Sequence, residues 1–206
     1  MTGDIMSVSR LRMATDGKGI STLIAFYGCP LRCEYCINEC NKEERLVLGT
    51  PRALYEPEEL AELLRKDAIY YMMTGGGIVF GGGEPLLQAE FIHEVCRLAD
   101  REWKKRIETS LNVPWENVEA VVEDIDEWII DIKDLDKTRY QKYTGSDNKK
   151  VMDNLMRLRK LLSPDAFRIR VPRIQGYNTD EQVDKSAEWV KRTFKVEPDV
   201  FDYIVF

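Results

Sequence analysis

The chain is short of several things. Histidine occurs once in 206 residues, at His93, so a nucleophile–histidine pair has almost nothing to build on. His93 sits between Ile92 and Glu94 in a helix-period stretch and reads as a solvated surface residue. Cysteine occurs five times, an odd number that suits a pure disulfide framework poorly. Without a histidine nearby, neither Cys40 nor Cys96 makes a hydrolytic nucleophile. Cys96 shares a helical stripe with Ile92 and Ala99 and reads as core. No apolar run approaches the roughly 20 residues that span a bilayer. The opening "MTGDIMSVSR" lacks the basic-then-apolar pattern of a secretory signal. No membrane partner and a cytoplasmic, reducing setting are therefore expected. There is no excess of basic charge: 30 Lys and Arg face 36 Asp and Glu, the net charge is −6 and the pI about 5.1, which argues against nucleic acid. Repeats and low-complexity linkers are missing. Trp103, Trp115, Trp128 and Trp189 are scattered and read as packing, while "NKEER" (41–45) and "DIDE" (124–127) read as solvated charge.

What is present alternates. Strand candidates are 21–28, 77–80, 106–110, 127–132, 167–172 and 201–206, several rich in Ile, Val, Phe and Tyr. Helical stripes lie between them: Leu60, Leu63 and Leu64 behind Pro57; Leu87, Phe91, Val95 and Leu98; Val118, Val121, Val122 and Ile125; Val151, Leu155, Leu158 and Leu162; and Val183, Ala187, Val190 and Phe194. Six strands and five helical stretches imply one α/β domain over 1–206, with parallel βα units in an open doubly wound sheet or an incomplete barrel. Ligands in both gather at the C-terminal strand ends. The cysteine loop, "GGGEP", "TS", "DIK" and "RVP" all fall there.

The stretch "FYGCPLRCEYCINEC" (26–40) carries Cys29, Cys33, Cys36 and Cys40. Three thiolates on a short loop hold three irons of a four-iron cluster and leave the fourth open. All four cysteines could instead close a structural zinc site. Cys40 separates the two readings, since it is a ligand only in the second. Tyr35 precedes Cys36, where its ring could shield a cluster. "TGGGIVFGGGEPLLQ" (74–88) lacks the lysine of a phosphate loop, and Leu86 stands where a dinucleotide fingerprint needs its third glycine. Glycines at a strand tip let a ligand approach the backbone. The Gly82 and Gly83 carbonyls could accept from an ammonium group, and Glu84 could add charge. Asp131 and Lys133 alternate with apolar residues and share one face.

Together these residues resemble the radical S-adenosylmethionine superfamily. The cysteine spacing is similar to its cluster motif, and "GGEP" (82–85) to its motif for the methionine amine. "TDGKGIS" (15–21), the 74–91 block and "DIK" with "TRYQKYTG" resemble the branch that activates glycyl radical enzymes, typified by pyruvate formate-lyase activating enzyme. The resemblance implies a partial (β/α)6 barrel with a [4Fe–4S] cluster on Cys29, Cys33 and Cys36. It implies S-adenosylmethionine held at Tyr35, Gly82, Gly83 and Glu84, with Lys133 and Arg170 at the methionine and ribose end. Asp131, Glu108 and Thr109 fall where relatives bind a monovalent cation; Lys133 and Asp131 are also the catalytic candidates. Only 38 residues separate Cys36 from Gly75, so no ferredoxin insert and one cluster are expected. The implied reaction is reductive cleavage to a 5′-deoxyadenosyl radical, which takes hydrogen from a backbone glycine of a partner enzyme, with flavodoxin or ferredoxin as electron donor. Modification of a ribosomal peptide, small-molecule chemistry of the deazapurine type, and a zinc-stabilised binding module are the alternatives.

The chain departs from the branch in places. Lys18 and Ser21 replace proline and arginine, Gly81 replaces serine, and "ETSLNV" (108–113) replaces an Asp-Thr-x-Gly block. The relatives' late histidine is missing. The chain stops at Phe206, in the sixth strand, where relatives continue; a more open mouth on that side is expected.

Overall fold

The computed structural model describes residues 1–13, 15–38 and 52–203. Eight strands form one sheet in the order β3-β1-β2-β4-β5-β6-β7-β8. Six of them, β2 (Ile20–Phe26), β4 (Gly77–Gly82), β5 (Lys104–Thr109), β6 (Glu127–Asp131), β7 (Phe167–Arg173) and β8 (Asp199–Asp202), run parallel in chain order. β1 (Gly3–Met13) and β3 (Ala53–Tyr55) extend the β2 edge antiparallel. The outermost strands do not meet, so the parallel set is the expected partial (β/α)6 barrel, open between its edges.

Parallel neighbours need crossovers, and helices supply them. α1 (Pro57–Arg65) and α2 (Ala68–Thr74) precede β4. α3 (Ala89–Leu98) leads to β5, and α4 (Trp115–Glu119) to β6. α5 (Lys137–Thr144) and α6 (Lys149–Leu161) lead to β7, and α7 (Asp180–Phe194) to β8. α1 starts on a Glu56–Glu59 capping box with Pro57 in its first turn, and buries Leu60 and Leu64. α7 starts on a Thr179–Gln182 capping box and buries Val183, Val190 and Phe194. Those faces pack against strand residues such as Ile24, Ile78, Phe80, Ile107, Trp128 and Ile169 in one core cluster. β4 is buried on both faces at its first five positions, as central parallel strands are.

The differences from the sequence reading have local causes. β1 escapes notice because register shifts at Ile5/Ser7 and Ser9/Arg12 break its alternation, and Leu11 takes a φ of 56°. α5 is polar, and its limits are set by Asp136 at the N-cap and left-handed Gly145 at the C-cap. The stripe Val118–Ile125 is helical only as far as Glu119 and then turns. His93 is not simply solvated: its Nδ1 lies 2.7 Å from Asp124 Oδ2. Cys96 is core, as expected. Cys40, "NKEER" and residues 204–206, which the sequence placed in a sixth strand, lie outside the described residues. Among the described residues no helix is long and apolar enough to cross a membrane.

Candidate active site

The C-terminal ends of the parallel strands surround a cavity of about 420 Å³. After β2 the chain turns through Gly28 into the cysteine loop. Gly83 N–H donates to Phe26 O at 2.9 Å and Glu84 N–H to Gly28 O at 2.8 Å, so the β2 and β4 tips are stitched together. This explains the second glycine triplet. A Cβ on Gly83 would lie 2.1 Å from Gly28 O, and Gly82 has a φ of 92° with Ala25 and Phe26 backbone pressed against it. Gly75–Gly77 start β4 at the opposite end and do not line the cavity.

Cys29, Cys33 and Cys36 all line this cavity and are half-buried. Their loop is tied to α5 by Arg32 N–H to Thr144 O at 2.8 Å and Glu34 N–H to Tyr143 O at 3.1 Å. Burial pushes the Cys29 thiol up to about 12 and the Cys33 thiol to about 11. A thiolate form there calls for a nearby cation, which a metal cluster supplies. Among the described residues no three His, Cys, Asp or Glu side chains converge closely enough to hold one metal ion.

The other strands add charge in pairs. Lys133, at the end of the β6 segment, has a φ of 53°, and its Nζ donates to Asp131 Oδ2 at 2.5 Å. Burial opposes its charge most, but Asp131, Cys33 and Tyr203 together outweigh it and hold Lys133 well above its ordinary value. Arg170 of β7 lies 3.1 Å from Glu108 of β5. Burial raises Glu108, and Arg170 pulls it back. Gly82, Gly83, Glu108, Thr109, Asp131, Lys133 and Arg170 thus share the cysteine cavity.

Two expected residues do not. Glu84 is buried at 1% exposure, and its carboxylate is taken up within the fold. It accepts from Thr109 Oγ1 at 2.6 Å, Ser110 Oγ at 2.6 Å, Ser110 N at 2.9 Å and Leu86 N at 3.3 Å. It clamps the β4 loop to the β5 tip. Tyr35 turns from the cavity into an aromatic group with Tyr143 and Tyr177. Residues that the sequence reading missed include Asn38, Ser110, Phe201 and Tyr203. Asn38 Nδ2 donates to Gly82 O at 2.5 Å. Its signal was position alone, two residues past Cys36.

The fold and the cavity define an α/β partial barrel with a cysteine-rich loop at its strand tips. The model of the Radical SAM superfamily matches residues 23–190. The (2S)-3-sulfopropanediol dehydratase activating enzyme of Klebsiella oxytoca is 33% identical over 246 aligned positions, 91% of this chain and 77% of that one. The 4-hydroxyphenylacetate decarboxylase activating enzyme of Clostridioides difficile (strain 630) is 32% identical over 79% of this chain, which spans 51% of that relative's length. A solved domain of pyruvate-formate lyase-activating enzyme from Bacteroides vulgatus superposes with a TM-score of 0.51 at 28% identity, covering 61% of this chain and 78% of that one. The chain belongs to the radical SAM superfamily, among the activating enzymes of glycyl radical enzymes. Membership implies a [4Fe–4S] cluster and S-adenosylmethionine. The donor set fits: three cysteine sulfurs, two of them burdened by burial, open on one cavity with backbone acceptors and paired cations.

Proposed function

We propose that this chain is a single radical SAM domain that activates a glycyl radical enzyme, with one cluster on Cys29, Cys33 and Cys36. The observation that carries this is the shared cavity: the three cysteines, the Gly82–Gly83 tip and the Lys133 and Arg170 cations all face one space. Bound there, the cluster and S-adenosylmethionine would supply one-electron cleavage of a carbon–sulfur bond and a carbon radical. The chain's own residues do the rest. The Gly82 and Gly83 carbonyls would accept from the ligand ammonium, with Asn38, which now donates to Gly82 O, giving way. Lys133 and Arg170 would line its methionine and ribose end. A monovalent cation at Asp131, Glu108 and Thr109 would have to share those carboxylates with Lys133 and Arg170. Ile129, Phe201 and Tyr203 limit water in the cavity.

The substrate is a backbone glycine of a protein partner, whose Cα carries no side chain to block approach. Flavodoxin or ferredoxin delivers the electron in a reducing cytoplasm. A single cluster follows from the short stretch of 38 residues between Cys36 and Gly75, which holds one further cysteine, Cys40.

The test is anaerobic reconstitution with iron and sulfide, reduction, and addition of S-adenosylmethionine with a glycyl radical enzyme. 5′-Deoxyadenosine and a glycyl radical signal in the partner are expected. A full cluster that yields no 5′-deoxyadenosine would overturn the reading. Stoichiometric zinc without iron in anaerobically purified protein would favour the binding module.

A further inference from the structure

Four tyrosines far apart in sequence meet beside the cavity. Tyr203 lines it. The Tyr203 ring lies 6.2 Å from that of Tyr143, which is buried. Tyr143 lies 4.9 Å from Tyr177 and 6.2 Å from Tyr35, and these two are 5.9 Å apart. Both are half-exposed at the surface, and Tyr203 is half-exposed at the cavity. The rings form an unbroken path from cavity to surface. Packing alone does not account for them. The Tyr143 hydroxyl is buried, faces the Tyr203 hydroxyl, and has no partner of ordinary hydrogen-bond geometry among the described residues. Leaving a hydroxyl so is costly, and phenylalanine would fill the space without that cost.

We propose that Tyr203, Tyr143, Tyr177 and Tyr35 form a redox relay that carries an oxidising equivalent out of the cavity. The need for it rests on the radical chemistry proposed above. A carbon radical that misses its substrate takes the nearest weakly held hydrogen, and a phenolic O–H is weaker than an alkyl C–H. The C–H bond forms, the Tyr203 O–H bond breaks, and the radical stays on Tyr203. Hydrogen-atom transfer from the Tyr143 hydroxyl restores Tyr203. An electron from Tyr177 or Tyr35 then restores Tyr143, whose proton comes through the neighbouring Tyr203 hydroxyl, itself reprotonated from the cavity, and the outer phenol releases one proton to water. A cellular thiol reduces the surface radical and ends as disulfide, two thiols for two radicals.

The relay can be tested without any cofactor. Flash-generated tris(bipyridine)ruthenium(III), with persulfate as terminal acceptor, is too bulky for the cavity and oxidises surface tyrosines. Added oxygen at each tyrosine is read by peptide mass spectrometry. In the unaltered chain Tyr203 is oxidised together with Tyr177 and Tyr35. Tyr143→Phe is expected to cut Tyr203 oxidation severalfold and leave Tyr177 unchanged. Removing both outer rings, with Tyr35→Phe and Tyr177→Phe, should give the same loss at Tyr203 and guards against a folding defect in the first variant. Equal Tyr203 oxidation in all three proteins overturns the relay. No cofactor takes part, so that result would leave the radical reading standing, and the reconstitution assay judges the radical reading separately.

Discussion

Leu111 offers a sharp test of the β5 tip. It is fully buried, and its φ is 58°, in the left-handed region, at a position where "ETSLNV" replaces a glycine-containing block. A Cβ there crowds the carbonyl oxygen, at a cost of about 1–2 kcal/mol. Hydrogen bonds hold the backbone in place: Leu111 N–H donates to Thr109 Oγ1 at 2.9 Å, and Leu111 O accepts from Asn154 Nδ2 at 3.0 Å. Leu111→Ala loses the buried side chain, about 2–5 kcal/mol, and keeps the crowding. Leu111→Gly loses slightly more packing and about 0.5–1 kcal/mol of chain entropy, but sheds the crowding of about 1–2 kcal/mol. Glycine should therefore equal alanine or exceed it by up to about 1 kcal/mol, the reverse of the usual order. Both variants should melt lower than the parent, at about 2–4 °C per kcal/mol for a chain of this size. Urea unfolding with an unchanged slope is the assay. Alanine more stable than glycine by about 1 kcal/mol, the order found at right-handed positions, would refute the argument.

Other expectations follow from the same geometry. Cys33→Ala should lose iron on reconstitution and Cys40→Ala should keep it, read as iron per protein; loss in both points to a closed four-cysteine site. Gly83→Ala places a methyl 2.1 Å from Gly28 O, so the β2 and β4 tips must part. It should destabilise the chain by about 1–3 kcal/mol and weaken S-adenosylmethionine binding, checked by unfolding and titration. Asp67 is held below its ordinary 3.8 by its hydrogen bonds to Arg10. Its folded value is depressed, so its contribution is full above 3.8 and is lost as pH falls through the lower folded value. Asp67→Asn should narrow the stability difference between pH 6 and pH 3; unfolding midpoints that fall just as steeply in the variant would count against it.

Most of the parallel strands were legible as short apolar runs between turn residues, Ile78–Phe80 and Trp128–Ile130 most plainly, whereas β8 (DVFD) begins two residues before the expected 201–206 and has little apolar signal of its own. β1 was not, since its bulges and its Arg10 and Arg12 hide a period of two. The site divides in the same way. Cys29, Cys33, Cys36, Gly82, Gly83, Lys133 and Arg170 sit in local patterns, and a pattern carries residue type and rough position. It does not carry side-chain direction. Glu84 turns to partners 25 and 26 positions later, and Tyr35 to a ring 108 positions later, and no local signal records either. The tyrosine group is invisible for the same reason.

The clamp on Glu84 has a mechanical consequence. Through it, and through the amides of Gly83 and Glu84, three successive strand ends behave as one stiff plate. Such a plate presents its acceptors ready-set, but it has no hinge with which to admit a bulky guest. Any yielding must come from the far rim, where among the described residues β8 is paired along one side only and Asp202, ion-paired with Arg173, is exposed.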